Sequence, residues 1–307
     1  MMKTKILLKR MLINKTVFCV LFISLFLSLS AFCDNKIAVV ISGKSEIFNE
    51  VLEGFKFQIQ QNLKGVKIEE LILTDKNSEK IQAKLTEFTP DYTLTIGRPA
   101  ALLLFKMIDI PFVYTMVYEP LGSHLIDAQG NNLCLGSGIK PVISAEIQLA
   151  ELKKVISKTA KVGILYGEEF SKFIESAQAA ASKQGIIIES QLVADTYEAS
   201  KNFRVLSKKG IDTFWLLPDS TVLTEGTESF YFGICKISGI NVLSFDSKHL
   251  KSQAAVVVTP NFGEMGQQAA GLVIKGLNGE IVRNEPLIEP VSFRTLIEQK
   301  NIQNMEY

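Results

Sequence analysis

Residues 254–279, AAVVVTPNFGEMGQQAAGLVIKGLNG, place a strand, a short loop and a helix in immediate succession. The alanines and valines at the start form an unbroken apolar run, which is typical of a strand covered on both faces in a parallel sheet. Pro260 follows this run, and apolar residues then recur at helical spacing until Gly279 stops the helix. Gly266 and Ala270 lie four residues apart, which would let this helix approach a neighbouring element closely, with helix-on-sheet packing as the expected contact.

The same alternation of strand and helix extends over most of the chain. Apolar β-rich runs predict strands at 36–42, 66–73, 92–96, 112–116, 133–139, 161–166, 186–193, 213–217, 241–245 and 255–258. Amphipathic spacing predicts helices at 46–63, 78–88, 99–107, 144–156, 168–184, 197–209, 224–238 and 265–277. Strands that alternate with helices imply parallel, doubly wound sheets.

The chain has 307 residues and 47% hydrophobic content, which is enough for two cores of medium size. We therefore predict an α/β protein with two doubly wound parallel-sheet lobes joined by a three-strand hinge. The first lobe is expected to contain residues 34–136 and 259–282. The second is expected to contain residues 137–258 and 283–307.

The N-terminus carries five basic residues and no acidic residue in its first 15 positions, followed by an uncharged apolar run that ends in small residues. This pattern predicts a secretory signal peptide over residues 1–33, and hence an exported protein in the periplasm or on the outer face of the cytoplasmic membrane. An uncleaved membrane anchor is the alternative, because the apolar run approaches the length of a membrane span. Cys33 could instead become a lipidated N-terminus, although Phe32 is bulky where lipid attachment prefers a small residue.

The charge, cysteines and histidines of the sequence argue against nucleic-acid binding, a disulfide and a metal site. The chain has 33 basic and 32 acidic residues, and loss of the five basic N-terminal residues would leave a net charge of about −4, so we expect no nucleic-acid binding. We expect Cys134 and Cys235 to be buried free thiols rather than a disulfide. His124 and His249 have no partners at a recognised ligand spacing, so we expect no metal site.

The sequence contains no complete motif for nucleotide binding or for the catalytic sites considered below. Residues 38–45, AVVISGKS, loosely match a phosphate loop, but their middle residues form the first strand, and Ser45 is better explained as the N-cap of the next helix. Residues 136–138, GSG, begin like a dinucleotide fingerprint, but Pro141 stands where the third glycine is required. The sequence contains neither G-x-S-x-G nor H-E-x-x-H. We therefore expect neither an enzyme nor a cofactor.

Polar residues near the ends of predicted strands are the candidates for ligand binding. Open parallel sheets bind ligands beyond the carboxyl ends of their strands, and two facing sheets create a cleft there. The candidate ligand-binding residues are Ser42, Gly43, Gly97, Arg98, Tyr118, Glu119, Ser137, Tyr166, Asp219, Ser220 and Asp246.

Two of these candidates carry charges whose roles have alternatives. The Arg98 guanidinium could pair with a ligand carboxylate or form a salt bridge within the protein. Asp219 could cap the following helix or hold a ligand ammonium group. Tyr114, Trp215 and Phe245 are expected in the core, although one of them at the cleft could stack on an aromatic ligand.

Several strings, in this order and spacing, resemble one known family. They are VLEGF (51–55), IGRPAAL (96–102), IPFVYTMVYEPLGSHLI (110–126), SAEIQLAELKKV (144–155), KVGILYGEEFS (161–171), LLPDSTV (216–222) and VVVTPNFGEMGQQAAGLVIKGLNGE (256–280). The chain resembles the ABC-transporter substrate-binding proteins of the type I periplasmic-binding fold, whose better-known members bind aromatic amino acids such as tryptophan and phenylalanine. The resemblance covers essentially the whole chain after the signal peptide.

The resemblance implies an exported receptor without chemistry of its own, expected to be a monomer. It would capture a small, amino-acid-like solute between the lobes and deliver it to a membrane permease. Relatives commonly carry Thr where Arg98 stands, Thr-Asp at 118–119 and Thr-Gly at 134–135, so the resemblance does not fix the ligand. Asp219 matches the family's Asp after Pro.

Other functions fit the same fold. A periplasmic ligand sensor that signals to a membrane receptor is the main alternative. The failed motifs disfavour an α/β hydrolase or nucleotide enzyme. A transcriptional repressor of related fold is disfavoured too, because a signal peptide stands where a DNA-binding helix pair would be.

Overall fold

The computed structural model describes residues 35–107, 109–133, 135–280 and 286–303. Both the predicted signal peptide and Cys134 lie outside these ranges. Within them, the first sheet is parallel throughout and has the strand order β2-β1-β3-β4-β5. Its strands are β1 (Lys36–Ile41), β2 (Lys67–Ile72), β3 (Tyr92–Ile96), β4 (Phe112–Thr115) and β5 (Gly136–Gly138).

The second sheet has the order β11-β10-β9-β8-β6-β7 and is parallel except for β11, which runs antiparallel to β10. Its strands are β6 (Lys161–Tyr166), β7 (Ile187–Leu192), β8 (Thr213–Trp215), β9 (Asn241–Ser244), β10 (Val256–Pro260) and β11 (Phe293–Ile297). The order of each sheet reverses direction along the chain, as a doubly wound fold requires.

Helices cover both faces of each sheet. They are α1 (Glu46–Asn62), α2 (Ser78–Phe88), α3 (Arg98–Phe105), α4 (Ala145–Val155), α5 (Ser171–Lys183), α6 (Thr196–Leu206), α7 (Glu225–Ser238), α8 (His249–Ser252) and α9 (Phe262–Leu277), with 3₁₀ turns at Glu168–Phe170 and Gln299–Asn301. Helices α1 and α9 share one core with the first sheet, and α2 and α3 form another on its opposite face. Helices α4 and α5 pack on one face of the second sheet, and α6 and α7 on the other.

These two sheets with their helices are called lobe one and lobe two below. The predicted fold class is confirmed, because both lobes have largely parallel sheets between helical layers. Ser45 caps α1 as predicted, since its hydroxyl accepts the Phe48 backbone N–H at 3.1 Å. Cys235 is a buried free thiol as predicted, and burial raises its pKa to about 12.

Three segments of the described chain pass between the lobes side by side. The first segment, residues 138–140, lies against the second, which contains Ile288. The Ile288 N–H donates to the Gly138 carbonyl and the Ile288 carbonyl accepts from the Lys140 N–H, each at 2.9 Å. The third segment runs from β10 into α9 at Asn261, whose N–H donates to the Ser292 carbonyl at 3.1 Å. Strand β5 belongs to the first sheet up to Gly138, and β10 belongs to the second up to Pro260. The residue bounds of the two lobes stay a prediction.

Two elements differ from the sequence prediction. The predicted strand 133–139 is reduced to β5, because Leu133 turns back to donate its N–H to the Leu125 carbonyl and leaves its side chain 54% exposed. Helix α9 begins three residues earlier than predicted, because Asn261 accepts the Glu264 N–H as an N-cap and its amide donates to the Glu264 carboxylate. This Asn-x-x-Glu pattern is a helix-capping signal that the sequence alone shows.

The small residues of α9 serve a helix-on-helix contact rather than the expected helix-on-sheet contact alone. A Cβ added at Gly266 would lie 2.0 Å from the Val51 carbonyl oxygen of α1. A Cβ added at Gly54 of α1 would lie 1.9 Å from the Gly263 carbonyl oxygen. The two helix backbones therefore touch, and this contact attaches the chain that has just left lobe two to the face of lobe one.

Candidate ligand-binding cleft

A cavity of about 310 Å³ lies between the lobes at the carboxyl ends of their strands. The residues that line it are Arg98, Met116, Tyr118, Glu119, Pro218, Asp219, Ser220, Leu223 and Phe245. Strands β3 and β4 deliver the first four of these, and β8 and β9 deliver the rest. The topology therefore brings together five of the predicted candidates: Arg98, Tyr118, Glu119, Asp219 and Ser220.

The start of α3 sets the position of Arg98. The Ala100 N–H donates to the Ser42 hydroxyl at 2.9 Å, so Ser42 satisfies an amide in the first turn of α3. Gly97 has φ +93°, and a Cβ there would lie 2.7 Å from the Ser42 Cβ, so this tight turn requires glycine. Two of the predicted ligand residues thus build the platform from which Arg98 projects.

Arg98 and Glu119 form the charged side of the cavity. Their side chains are 49% and 17% exposed, and Arg98 Nη1 lies 3.6 Å from Glu119 Oε2. Glu119 also reaches across to lobe two, where its Oε1 accepts the Ser220 N–H at 2.8 Å. The structure thus contains the internal ion pair that was one alternative for Arg98, while leaving half of its surface open.

Asp219 is 2% exposed, and both of its carboxylate oxygens are engaged within lobe two. Oδ2 accepts the Gly167 N–H at 2.5 Å, and Oδ1 accepts the Thr221 N–H at 2.9 Å together with the Thr221 hydroxyl. Helix α7 is capped by Thr224 instead. Asp219 therefore organises the loop after β8 and ties it to the loop after β6, which differs from the helix cap that the sequence suggested.

Aromatic rings from both lobes form another part of the cavity wall. Tyr118 of lobe one and Phe245 of lobe two meet edge to face, with ring centroids 6.0 Å apart. Burial raises the pKa of the Tyr118 hydroxyl above its usual range, and the Asp246 carboxylate adds to this shift. The wall is therefore uncharged, and it can pack against an apolar or aromatic group.

A buried polar cluster stands behind Phe245. The ring of His249 lies 5.3 Å from that of Phe245, and His249 Nδ1 lies 2.6 Å from the Ser244 hydroxyl oxygen. His249 Nε2 lies 3.6 Å from the Glu228 carboxylate. Burial lowers the pKa of His249. Ser244 and His249 are fully buried, so this serine–histidine pair, which sequence reasoning missed, supports the cleft wall rather than meeting a substrate.

The remaining candidates do not line the cavity. Gly43 has φ +96° in the turn after β1, and Ser137 is fully buried inside β5. Tyr166 ends β6 and packs against the core of lobe two. Asp246 lies close behind the aromatic wall and accepts the Lys248 N–H at 2.9 Å.

Sequence reasoning missed the apolar part of the lining. Met116, Pro218 and Leu223 were not candidates, and Phe245 was expected chiefly in the core. These residues follow strand ends just as the polar candidates do, so their position along the chain was a usable signal.

Two features are absent from the part of the chain that the structure describes. Across the described ranges, no three His, Cys, Asp or Glu side chains form a group that could hold a metal ion. Within the same ranges, no helix is both long enough and apolar enough to cross a membrane.

The fold recurs in solved proteins. A ligand-free, open substrate-binding protein with adhesive properties from Clostridium difficile superposes with a TM-score of 0.69 at 19% identity, covering 87% of this chain and 93% of that one. A domain in complex with L-Trp from Streptococcus pneumonia gives a TM-score of 0.60 at 18% identity, again covering 87% and 93%. At such identities the likeness shows a shared fold.

Sequence comparison leads to the same class of protein. A tyrosine-binding protein of Clostridioides difficile (strain R20291) is 22% identical over 217 residues, which are 68% of this chain and 61% of that protein. The chain thus spans about 61% of the length of this curated relative. Residues 36–306 match the family described as ABC transporter substrate binding protein. Because this match runs through both lobes and all the passages between them, the chain belongs to the ABC transporter substrate-binding protein family.

Proposed function

We propose that this protein is the extracytoplasmic solute-binding component of an ABC importer and that it captures an amino-acid-like solute with an aromatic or apolar side chain. The observation that carries this proposal is the composition of the cavity. The ion pair Arg98–Glu119 and the aromatic pair Tyr118–Phe245 both line it. An amino-acid zwitterion with an apolar side chain matches this lining, because its charged groups can pair with Arg98 and Glu119 and its side chain can pack against the aromatic rings.

Each part of such a solute has a chemically matching partner in the cavity. The exposed half of the Arg98 guanidinium can donate to a carboxylate in a bidentate manner. The Glu119 oxygen that faces Arg98 can accept from an ammonium group. The rings of Tyr118 and Phe245, with Met116 and Leu223, can surround an apolar side chain. Asp219 contributes indirectly, because its oxygens already accept hydrogen bonds from lobe two.

The size of the cavity supports a small solute. At about 310 Å³ it lies near the lower end of the range for small-molecule sites, roughly 300–1,000 Å³. The similarity to a tyrosine-binding protein and to a domain complexed with L-Trp also supports the choice of an amino acid.

The N-terminal sequence and the family support a function in import. A signal peptide over residues 1–33 would export the protein to the periplasm or to the outer face of the membrane, with lipidation at Cys33 as a variant of the same location. The proposed partner is a membrane permease, to which a monomer delivers its solute. The protein would bind and release the solute without altering it.

A thermal-shift screen of amino acids, purines and organic acids tests the proposal. A solute at about 100 times its Kd adds about 2.7 kcal/mol to the free energy of unfolding, which raises the melting temperature by several degrees. We expect aromatic or apolar amino acids to give the largest rise. A flat response to every compound would contradict solute capture, and a response confined to purines would contradict the proposed solute class.

A further inference from the structure

Outside the cavity, further hydrogen bonds join the two lobes directly, and they involve groups that do not contact the proposed solute. Glu169 lies in the 3₁₀ turn Glu168–Phe170 of lobe two and does not line the cavity. Its Oε1 accepts the Leu121 N–H at 2.9 Å, and its Oε2 accepts the Gly122 N–H at 2.5 Å. Both of these amides belong to the loop after β4 in lobe one.

In the described part of the chain, the Leu121 and Gly122 amides have no acceptor within this loop's own backbone, since the loop's hydrogen bonds begin at Ser123. The chain makes a helical turn after Glu119, in which Ser123 donates its N–H to the Glu119 carbonyl and Leu125 donates to the Pro120 carbonyl. Amides in the first turn of such a segment precede any carbonyl that could accept from them. A side chain at the residue before the turn usually accepts from them instead.

Here the side chain in that capping position points elsewhere. Glu119 precedes the turn, but its carboxylate extends to the Ser220 N–H of lobe two. Ser220 in turn stands at the start of a turn in which the Asp219 carbonyl accepts from Val222 and Leu223. Each lobe therefore sends one carboxylate to accept from the start of a turn on the other lobe. The lobe-one turn directly follows the cavity residues Tyr118 and Glu119, and the lobe-two turn contains cavity residues itself.

The lobe-two side of this exchange is built as a unit. Phe170, next to Glu169, is buried in the core of lobe two. The Gly167 N–H donates to Asp219, which links the segment that carries Glu169 to the turn that carries Ser220. Lys172 adds a third crossing, because its ammonium donates to the Ala128 carbonyl of lobe one.

We propose that Glu169 is a positioning residue for solute retention, which holds the lobes closed by capping the lobe-one turn that directly follows Tyr118 and Glu119. This role rests on the proposed capture of a solute between the lobes. Its test needs no solute, however, so that the two proposals can fail separately.

The test compares Glu169→Ala with Glu168→Ala by hydrogen exchange and small-angle X-ray scattering of the purified protein without added solute. Glu168 is the adjacent carboxylate in the same turn and is exposed, so it serves as the matched control. Exchange at Leu121 and Gly122 would rise from the local loss of an acceptor alone. The decisive probe is therefore the Ser220 amide, whose acceptor, Glu119, is untouched by either variant.

If Glu169 holds the lobes closed, Glu169→Ala should speed exchange at Ser220 by about tenfold or more relative to Glu168→Ala and should increase the radius of gyration. Glu169→Gln retains one acceptor oxygen but, unlike a protonated carboxyl, puts an NH2 donor in place of the second, so it should give a smaller rise in the same direction. It also keeps the side-chain volume, so it serves if the alanine variant folds poorly. Equal Ser220 exchange and equal radii in Glu169→Ala and Glu168→Ala would overturn the proposal.

Discussion

At the scale of the residue, Arg98 is the charged group of the cavity with the most freedom to meet a solute. Its guanidinium is half exposed and its partner Glu119 lies 3.6 Å away, which is longer than a well-formed hydrogen bond. A solute carboxylate could therefore add bonds to Arg98 without first breaking a strong one. Asp219 is the opposite case, because protein donors already surround its oxygens.

This contrast predicts that Arg98→Ala weakens binding of a carboxylate-bearing solute. Loss of hydrogen bonds to a charged group costs about 1.5–3 kcal/mol, which corresponds to a roughly 10- to 150-fold rise in Kd. Isothermal titration with the best amino acid from the screen measures the change. Arg204→Ala is a suitable control, since Arg204 lies on α6, where its guanidinium lies over the Phe230 ring of α7, and it does not line the cavity. An unchanged Kd in Arg98→Ala would remove Arg98 from the site.

At the scale of the element, the contact between α1 and α9 determines where the chain returns to lobe one. Gly266 and Gly54 let the two backbones touch, and a side chain at either position would collide with backbone rather than with a flexible side-chain end. The contact therefore cannot relax by a rotamer change. Gly271 lies on the same helix, but a Cβ added there would meet nothing within 4 Å.

We predict that Gly266→Ala and Gly271→Ala change stability in opposite directions. Overpacking at Gly266 should lower the free energy of unfolding by about 1–3 kcal/mol. Alanine at Gly271 should raise it by up to about 1 kcal/mol, because alanine favours helix where space allows. Urea unfolding followed by circular dichroism measures both. An unchanged free energy of unfolding in Gly266→Ala would contradict this prediction, because it would mean that α1 and α9 can move apart without loss of stability.

The same elements show what could be predicted from sequence. Buried strands and amphipathic helices have periodic patterns, so the alternation and the fold class were predictable. The early start of α9 was also encoded, in the cap formed by Asn261 and Glu264. The short length of β5 was not predictable. It depends on a hydrogen bond from the Leu133 N–H to the Leu125 carbonyl, and such a contact leaves no periodic pattern in the sequence.

At the scale of the whole molecule, the cavity is a joint product of two sheets. The rule that ligands lie at strand ends was enough to select Arg98, Tyr118 and Glu119 as residues near a cleft. It could not separate Ser137, which is buried inside β5, from its neighbours at strand ends. Nor could it find Glu169, because the exchange of carboxylates joins residues that are far apart in the sequence and meet where the two lobes contact each other.

Closure should also depend on pH. In the closed form burial raises the pKa of the Glu169 carboxyl, and the negative charges of Glu119 and Asp219 add to this shift, while the hydrogen bonds from Gly122 and Leu121 act against it. Lys172, at the start of α5, is the nearby cation in the same segment, and its ammonium is directed to Ala128. Opening would return the Glu169 carboxyl to water and bring its pKa back towards the ordinary value.

The closed form therefore binds more protons than the open form at pH values between the ordinary carboxyl pKa and the raised one. Lowering the pH from 7 through this range should shift the solute-free protein towards closure, so we expect the radius of gyration to fall and exchange at Ser220, corrected for its intrinsic pH dependence, to slow. Glu169→Ala lacks the titrating group and should lose this response, while Glu168→Ala should keep it. A response of equal size in wild type and Glu169→Ala would assign the pH dependence to other carboxyls.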